Sequence, residues 1–424
     1  MTYKIVTYKI VTYKVVTYKV VTYKNVTYTV VTYKKFVYLC KKNFDMETFP
    51  FIYGKIAETQ DFTDRENESK HLAQNFFSLV NTIIISPRRW GKSSLVKKVA
   101  EQLMSDSKEI RVCLLDAFNV RDENEFYIHF AQSVVKATSN RWEEWVENAK
   151  TFLSRLSPKI SFSSDSQAEI SFGIEWEELK KNPDEIINLA EIIAKVKKIK
   201  IVVCIDEFQN IGNFEDSVAF QRKLRAHWQH HQNVAYCLYG SKRHMLLDIF
   251  SNPEMPFYKF GDIMLLEKID TKTWGKFIQK RFKDTGKSIT KKQAEYLAEQ
   301  VENHSYYVQQ LAQQVWLRTK TVCSISIIDN SLQSIKNQLS LLFVGLAETL
   351  TTTQLYFLRA IIDGETVFGQ ENLKKYRLGT SANIIRIKDA LLSKEIIDIT
   401  AKNIEIQDPV FKLWLKEEYF KNRL

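Results

Sequence analysis

Apolar positions along this chain fall into three kinds of pattern. Short apolar runs occur at Ile83-Ile84-Ile85, Ile110 to Leu115 with Arg111 as its one interruption, Ile201 to Ile205, Val234 to Tyr239 and Ile263 to Leu266. Runs of this length, without alternation, are strands of a parallel sheet buried on both faces. Between them apolar residues return at helical spacing, over about 66–79, 126–137, 183–197 and 217–231. The resulting β-α-β-α order predicts right-handed crossovers and helices on both faces of the sheet. From Thr271 to Arg318 the spacing is helical throughout, with Trp274, Ile278 and Phe282, then Tyr296 and Leu297, then Val308, Leu311 and Val315. A connecting helix over 321–345 follows. Thr353 to Ile362, Gln370 to Tyr376 and Ser381 to Leu392 then read as three helices, and Ile396 to Ile406 alternates around a turn like a two-stranded wing. The third pattern is a Val-Thr-Tyr-Lys repeat with a period of five over residues 1–35. That period matches neither a strand nor a helix, so it presents no constant apolar face and predicts little stable packing.

The first strand leads into Ser86-Pro87-Arg88-Arg89-Trp90-Gly91-Lys92-Ser93-Ser94, and a helix carrying Leu95, Val99 and Leu103 on one side begins there. This is the context of a phosphate-binding loop. Backbone N–H groups and a helix N-terminus face the phosphates, a Lys reaches the β- and γ-phosphates, and a hydroxyl ligates Mg²⁺. Lys92 and Ser93 stand at those places, and Ser86 to Ser94 are the candidate nucleotide-binding residues. The pattern departs from G-x-x-x-x-G-K-[ST] at Ser86, so either the loop starts in a conformation open to any L-residue or a left-handed backbone there is strained and nucleotide binding is weakened. A strand, a basic turn and a helix without a ligand would look similar. The run Ile201 to Ile205 changes that balance, because it ends in Asp206-Glu207. A parallel strand would bring these carboxylates beside the first loop, Asp206 to hold Mg²⁺ and Glu207 to orient or deprotonate the attacking water.

Further candidates are scattered. Phe62 and Arg65 lie at a turn ahead of the first strand, where a purine would rest against Phe62 or Ile56; alternatively Phe62 is only a staple at a helix start. Ser241 follows the strand ending at Tyr239-Gly240, a place from which to sense the γ-phosphate and the water. Arg225 or Arg243 would supply positive charge to the transition state, in cis or from a neighbouring subunit, unless each is simply a solvated charge. His227, His230 and His231 lie on a helical polar face with no matching carboxylate motif. Residues 140–181 interrupt the core with Trp142, Trp145 and a hairpin pattern around Ser164-Asp165-Ser166, and no chemistry is assigned to them.

Phe62-Thr-Asp-Arg-Glu, Ser86-Pro-Arg-Arg-Trp-Gly-Lys-Ser-Ser, Ile205-Asp-Glu-Phe-Gln and Tyr239-Gly-Ser-Lys-Arg together resemble the archaeal-type ATPase family, AAA-like P-loop ATPases within the STAND group that also occur in bacteria. The similarity spans about residues 49–420. It implies an α/β fold with a P-loop NTPase core, a helical lid and a C-terminal winged helix. It also implies ATP and Mg²⁺ as ligands and an ATPase switch or motor. The alternative is a non-hydrolysing nucleotide-gated adaptor or DNA-binding regulator. Asn303-His304-Ser305-Tyr306-Tyr307 departs from the family's Gly/His-Pro-Tyr-Tyr lid pattern. The domains expected are a low-complexity tail over 1–45, the core over 46–266, lid and connecting helix over 267–340, and winged helix over 341–424.

Composition narrows the partners. With 45% apolar residues the chain is not largely disordered. No uninterrupted apolar stretch predicts a membrane span or a signal peptide, so no membrane partner and a cytoplasmic location are expected. Cys40, Cys113, Cys204, Cys237 and Cys323 show neither metal nor disulfide spacing. Residues 1–45 hold nine Lys and one Asp, leaving only +3 of the chain's +11 to the remainder. Met46 precedes the first globular stretch, and the tail reads as a tandem repeat upstream of the real start. The alternative is a basic tail that holds nucleic acid. A winged helix suggests DNA read by residues 381–394, yet residues 341–424 carry twelve Lys and Arg against eleven Asp and Glu. Protein partners, self-association or packing on its own ATPase domain are the other uses of such a module.

Overall fold

A computed structural model describes residues 49–55, 62, 65–139, 144, 152, 160–162, 172–174, 183–367, 369–400 and 403–421. The tail over 1–45, Ile56, Trp142, Trp145 and the turn at Ser164-Asp165-Ser166 lie outside the described residues.

In chain order the core strands are β1 (Thr82–Ile85), β2 (Ile110–Asp116), β3 (Ile160–Phe162), β4 (Phe172–Ile174), β5 (Lys200–Asp206), β6 (Val234–Gly240) and β7 (Asp262–Leu265). Five of them make one sheet in the order β2-β5-β6-β1-β7, with every neighbour parallel. Strands β3 and β4 are the arms of the expected hairpin and pair separately, antiparallel, with Ile160 opposite Ile174. The period-two rule explains why the sheet strands read as unbroken apolar runs. Ile83, Ile201, Val203, Ile205, Tyr236 and Leu238 face one apolar layer. Ile84, Val202, Cys204, Cys237 and Tyr239 face the other.

Helices α1 (Glu66–Phe77) and α2 (Lys92–Asp106) cover the second layer through Leu72, Phe76, Leu95 and Val99. The first is covered by α3 (Glu123–Ala137), α4 (Pro183–Ile187), α5 (Leu189–Lys197), α6 (Ser217–Trp228) and α7 (Arg243–Ser251). The single helix expected over 183–197 is thus two, broken at Asn188. That residue's amide bonds His227 and His231.

Beyond the sheet come α8 (Thr271–Asp284), α9 (Lys291–Gln300), α10 (Ser305–Arg318) and the long α11 (Ile325–Glu348). They lead into α12 (Thr352–Ile362), α13 (Gln370–Lys375), α14 (Ser381–Ser393), the antiparallel pair β8 (Ile397–Thr400) and β9 (Asn403–Ile406), and α15 (Pro409–Trp414). Trp274, Leu311 and Ile335 share one apolar cluster with Leu358, Ile384 and Trp414. Lid and winged helix therefore have a common core rather than two. Phe343, near the end of α11, is the seam: its ring lies 5.3 Å from Phe411 and 5.8 Å from Trp414.

Candidate functional site

Strand β1 ends at Ile85 and α2 begins at Lys92, so residues 86–91 form the turn between them. Helix α2 has no side-chain cap; Gly91 at its N-cap is left-handed with φ 94°. Its first N–H groups are those an anion would satisfy. Ser86 does not need the conformation that its replacement of Gly suggested. Positive φ falls on Arg89 (65°) and Gly91, while buried Ser86 bonds the Pro87 carbonyl through its hydroxyl at 3.0 Å. The expected cost of Ser86 is therefore absent, and the strained residue of the loop is Arg89. Arg65 braces the loop from outside. It is buried, and one guanidinium nitrogen donates to the Trp90 carbonyl at 3.2 Å and to the Glu267 carbonyl at 2.7 Å.

Strand β6 separates β1 from β5, yet the two loops meet at the sheet edge. Ser93 donates its hydroxyl proton to Asp206 at 2.6 Å. Burial raises the Asp206 carboxyl above its ordinary range, with Lys92 and Ser93 opposing. A hydroxyl and a carboxylate side by side form the hard-oxygen pair that suits Mg²⁺. Glu207 sits left-handed at φ 50°, turned back over the end of β6. It accepts hydrogen bonds from the Ser241 hydroxyl at 2.9 Å and from Gln209, with the buried Lys92 ammonium 3.8 Å away. Burial alone would raise its carboxyl, but Lys92, Gln209 and Ser241 outweigh that and hold it below the usual range. Gly240 makes this crossing possible. A Cβ there would stand 1.8 Å from Gln209 Oε1 and 3.3 Å from the Glu207 Cα.

A cavity of about 570 Å³ opens beside the loop, lined by Phe62, Arg65, Arg89 to Ser94 and, from the lid, Trp274, Tyr306 and Gln309. Lys98 Nζ lies 4.1 Å from the Phe62 ring centre, and Arg89 lies 4.5 Å above the Tyr306 ring. The lid residues are invisible to a motif search because they are single side chains on a helix. Only the Tyr306-Tyr307 pair hinted at them.

The winged helix closes the other side. Arg88 donates to Ser241 Oγ at 3.3 Å and pairs with Glu395 at 2.6 Å. Arg243 pairs with Asp398 of β8 at 3.4 Å, and Tyr307 donates to Asp408 at 2.5 Å. Lys268 stands 3.6 Å from Glu405 and 3.7 Å from Glu302, and Lys412 pairs with Glu302 at 2.6 Å. Arg243 is thus at the site's edge but engaged by the wing. Arg225 is elsewhere. It occupies the last turn of α6, ahead of β6, over the ring of Phe260 at 4.8 Å, ahead of β7. In a parallel sheet the start of β6 and the end of β1 are opposite edges, so Arg225 cannot reach the phosphates of its own chain.

Residues 90–213 match the family model described as the KAP family P-loop domain, and residues 342–417 match one described as a probable winged helix domain. No curated protein matches the chain. The fold is similar to that of the Walker-type ATPase Paby2304 of Pyrococcus abyssi, with TM-score 0.60 and 17% identity over 87% of this chain and 100% of that one. It is also similar to the Aeropyrum pernix ORC2 protein in its ADPNP–ADP complexes, with TM-score 0.52 and 11% identity over 89% and 98% of the two chains. The molecule is a P-loop NTPase fold carrying a C-terminal winged helix. Among the described residues no helix is long and apolar enough to cross a membrane.

Proposed function

We propose that this chain binds ATP with Mg²⁺, hydrolyses the β–γ bond, and reports the state of its nucleotide through the winged helix. The supporting observation is one unbroken polar path: Glu395 to Arg88, Arg88 to Ser241, Ser241 to Glu207. Its inner end is chemistry and its outer end is the winged helix.

The triphosphate enters at the uncapped start of α2, and the Lys92 ammonium moves from Glu207 to the β/γ oxygens. Ser93 and Asp206 hold Mg²⁺, which supplies charge neutralisation at those oxygens. Glu207, ionised at neutral pH, orients the attacking water and takes its proton. Ser241 touches both Glu207 and Arg88, so it registers whether a γ-phosphate is present. That phosphate competes with Glu395 for Arg88. Loss of the Arg88–Glu395 pair loosens the wing, which is the behaviour of a switch of the STAND type that the sequence resembles.

DNA is the less favoured partner of the winged helix. The exposed positions on the first turns of α14 are Ser381, Ala382, Ile385 and Arg386, with Asp389 beyond, a face with little positive charge for phosphate. Protein contact, including contact with its own ATPase core, fits that surface better.

The test is γ-phosphate release by the full chain, with and without duplex DNA. Glu207→Gln is expected to keep Mg-ATP and lose turnover by about a hundredfold. Normal hydrolysis in that variant would move the base elsewhere. ATP bound by the unaltered protein without any phosphate release would replace this reading with the non-hydrolysing adaptor.

A further inference from the structure

We propose that the outer face of α11, around Leu341, Leu342 and Gly345, is a self-association surface on which a second copy of this chain docks its own α11 about a two-fold axis.

Helix α11 turns Ile328, Leu332, Ile335, Phe343 and Ala347 toward the apolar cluster shared by lid and winged helix. Its opposite face is open. Leu341 is 84% exposed and Leu342 68%, the two most exposed large apolar side chains among the described residues. Single exposed leucines are ordinary on a protein surface, but two together on a face without charge are not. Between Asp329 and Glu348 the helix has one charged residue, Lys336, and that one is buried and paired with Glu417. The exposed positions of this stretch hold only amides, apolar side chains and a glycine, in a chain of which 26% is charged. Depletion of charge is what sets the centre of an interface apart from the rest of a surface.

Gly345 is a second, independent sign. Asn337, Leu341 and Gly345 follow one another at four-residue spacing with Gln338 and Leu342 beside them, so the glycine forms a notch one turn beyond the leucines. Glycine inside a helix is destabilising relative to alanine. No neighbour in this chain requires it, since a Cβ at Gly345 would meet nothing within 4 Å. The notch admits close approach from outside.

The chemistry of the face selects its occupant. Nucleic acid or an anionic lipid surface would need Lys or Arg here, and a charged protein partner would need a complementary charge; the face offers none. Two-fold pairing sets each residue against itself or a near neighbour, so charged groups would meet their like. An amide carries both a donor and an acceptor and can pair with its own copy, as Gln333 already does with Asn337 along the helix at 2.8 Å. Antiparallel α11 helices place Leu341 of each copy over Gly345 of the other. One helix face covers less than the roughly 800 Å² per partner of a standard interface, so the association is weak and depends on concentration. Phe343, in the same turn, points inward to Phe411 and Trp414, and the pairing face and the seam between lid and winged helix are therefore two sides of one helix.

Sedimentation velocity on the full chain, from low to high micromolar concentration, tests this. The unaltered protein should shift from monomer to dimer, equally in low and high salt, because no charge takes part. Leu341→Glu and Leu342→Glu should each weaken the dimer at least about tenfold, and an equimolar mixture of Leu342→Glu and Leu342→Lys proteins should recover it. Gly345→Leu should weaken it by filling the notch, while raising helix propensity and so leaving the fold intact. Melting temperatures should not fall in any of these variants, since the sites are exposed. An unaltered protein that stays monomeric at every concentration overturns the proposal. So does a dimer that persists in Leu341→Glu or is lost in high salt. A Gly345→Leu dimer as tight as the unaltered one overturns the role of the notch.

Discussion

The floor of the candidate site and its roof are assembled in opposite ways. The floor consists of Ser86 to Ser94, Asp206 to Gln209 and Gly240-Ser241, three short segments that each follow the end of a sheet strand. Parallel pairing aligns those ends, so backbone geometry alone brings Ser93 to Asp206 and Ser241 to Glu207. The roof is drawn from α8, α10 and the winged helix, where Tyr306, Gln309, Glu395 and Asp398 lie far apart in sequence. Side-chain packing in one shared apolar cluster holds them together. Groups placed by strand ends keep their positions when the roof changes. Control set by packing can be altered without touching the chemistry.

Substitutions on each side should separate the two. The largest effect belongs to the floor: Lys92→Ala should weaken ATP binding on the order of a hundredfold, the loss of a charge-assisted contact to phosphate. Unchanged affinity, measured by fluorescent-nucleotide titration, would sink the phosphate-loop assignment. Gly240→Ala comes next. Its methyl group would displace Gln209 and with it one of the donors to Glu207, so turnover should drop on the order of tenfold while ATP affinity holds. Wild-type turnover there would mean that Gln209 has another place to go.

On the roof, Glu395→Gln should raise basal phosphate release about two- to fivefold, since a half-exposed ion pair contributes roughly 1 kcal/mol or less. Slower release in this variant would contradict the competition between Glu395 and γ-phosphate. The smallest effect is expected for deletion of residues 1–45. The melting temperature should stay within about 2 °C, because a five-residue period offers no constant face to pack. A large fall in melting temperature would show that the repeat packs after all.

The same contrast explains what could be read from the residues alone. Ile83 to Ser93 and Ile201 to Glu207 were legible because each motif is contiguous and its strand is buried on both faces. Ser86 left two readings open, because the motif's first position says nothing of which residue takes the left-handed turn; the start of the loop is open to an L-residue, and the non-glycine residue that takes the turn is Arg89. Arg225 was a reasonable candidate by charge, but sequence gives no sign of which sheet edge a helix end reaches. Gly240 carried a signal that went unused: a glycine ending a buried strand marks a close approach, here that of Gln209. Glu395 and Gln309 carried none, since their partners are decided by how two bodies dock.

The Phe343 seam has a practical consequence for anyone dividing this chain into fragments. A cut near residue 340, where sequence places the start of the winged helix, falls inside α11 and would divide one apolar cluster, parting Ile328, Leu332 and Ile335 from Phe343, Phe411 and Trp414 and Lys336 from Glu417. Both pieces would expose apolar surface and tend to aggregate. A break ahead of α8 keeps α11 whole and, among the described residues, removes only Phe51 from the buried cluster, so a fragment from about residue 267 onward is the better one to express by itself.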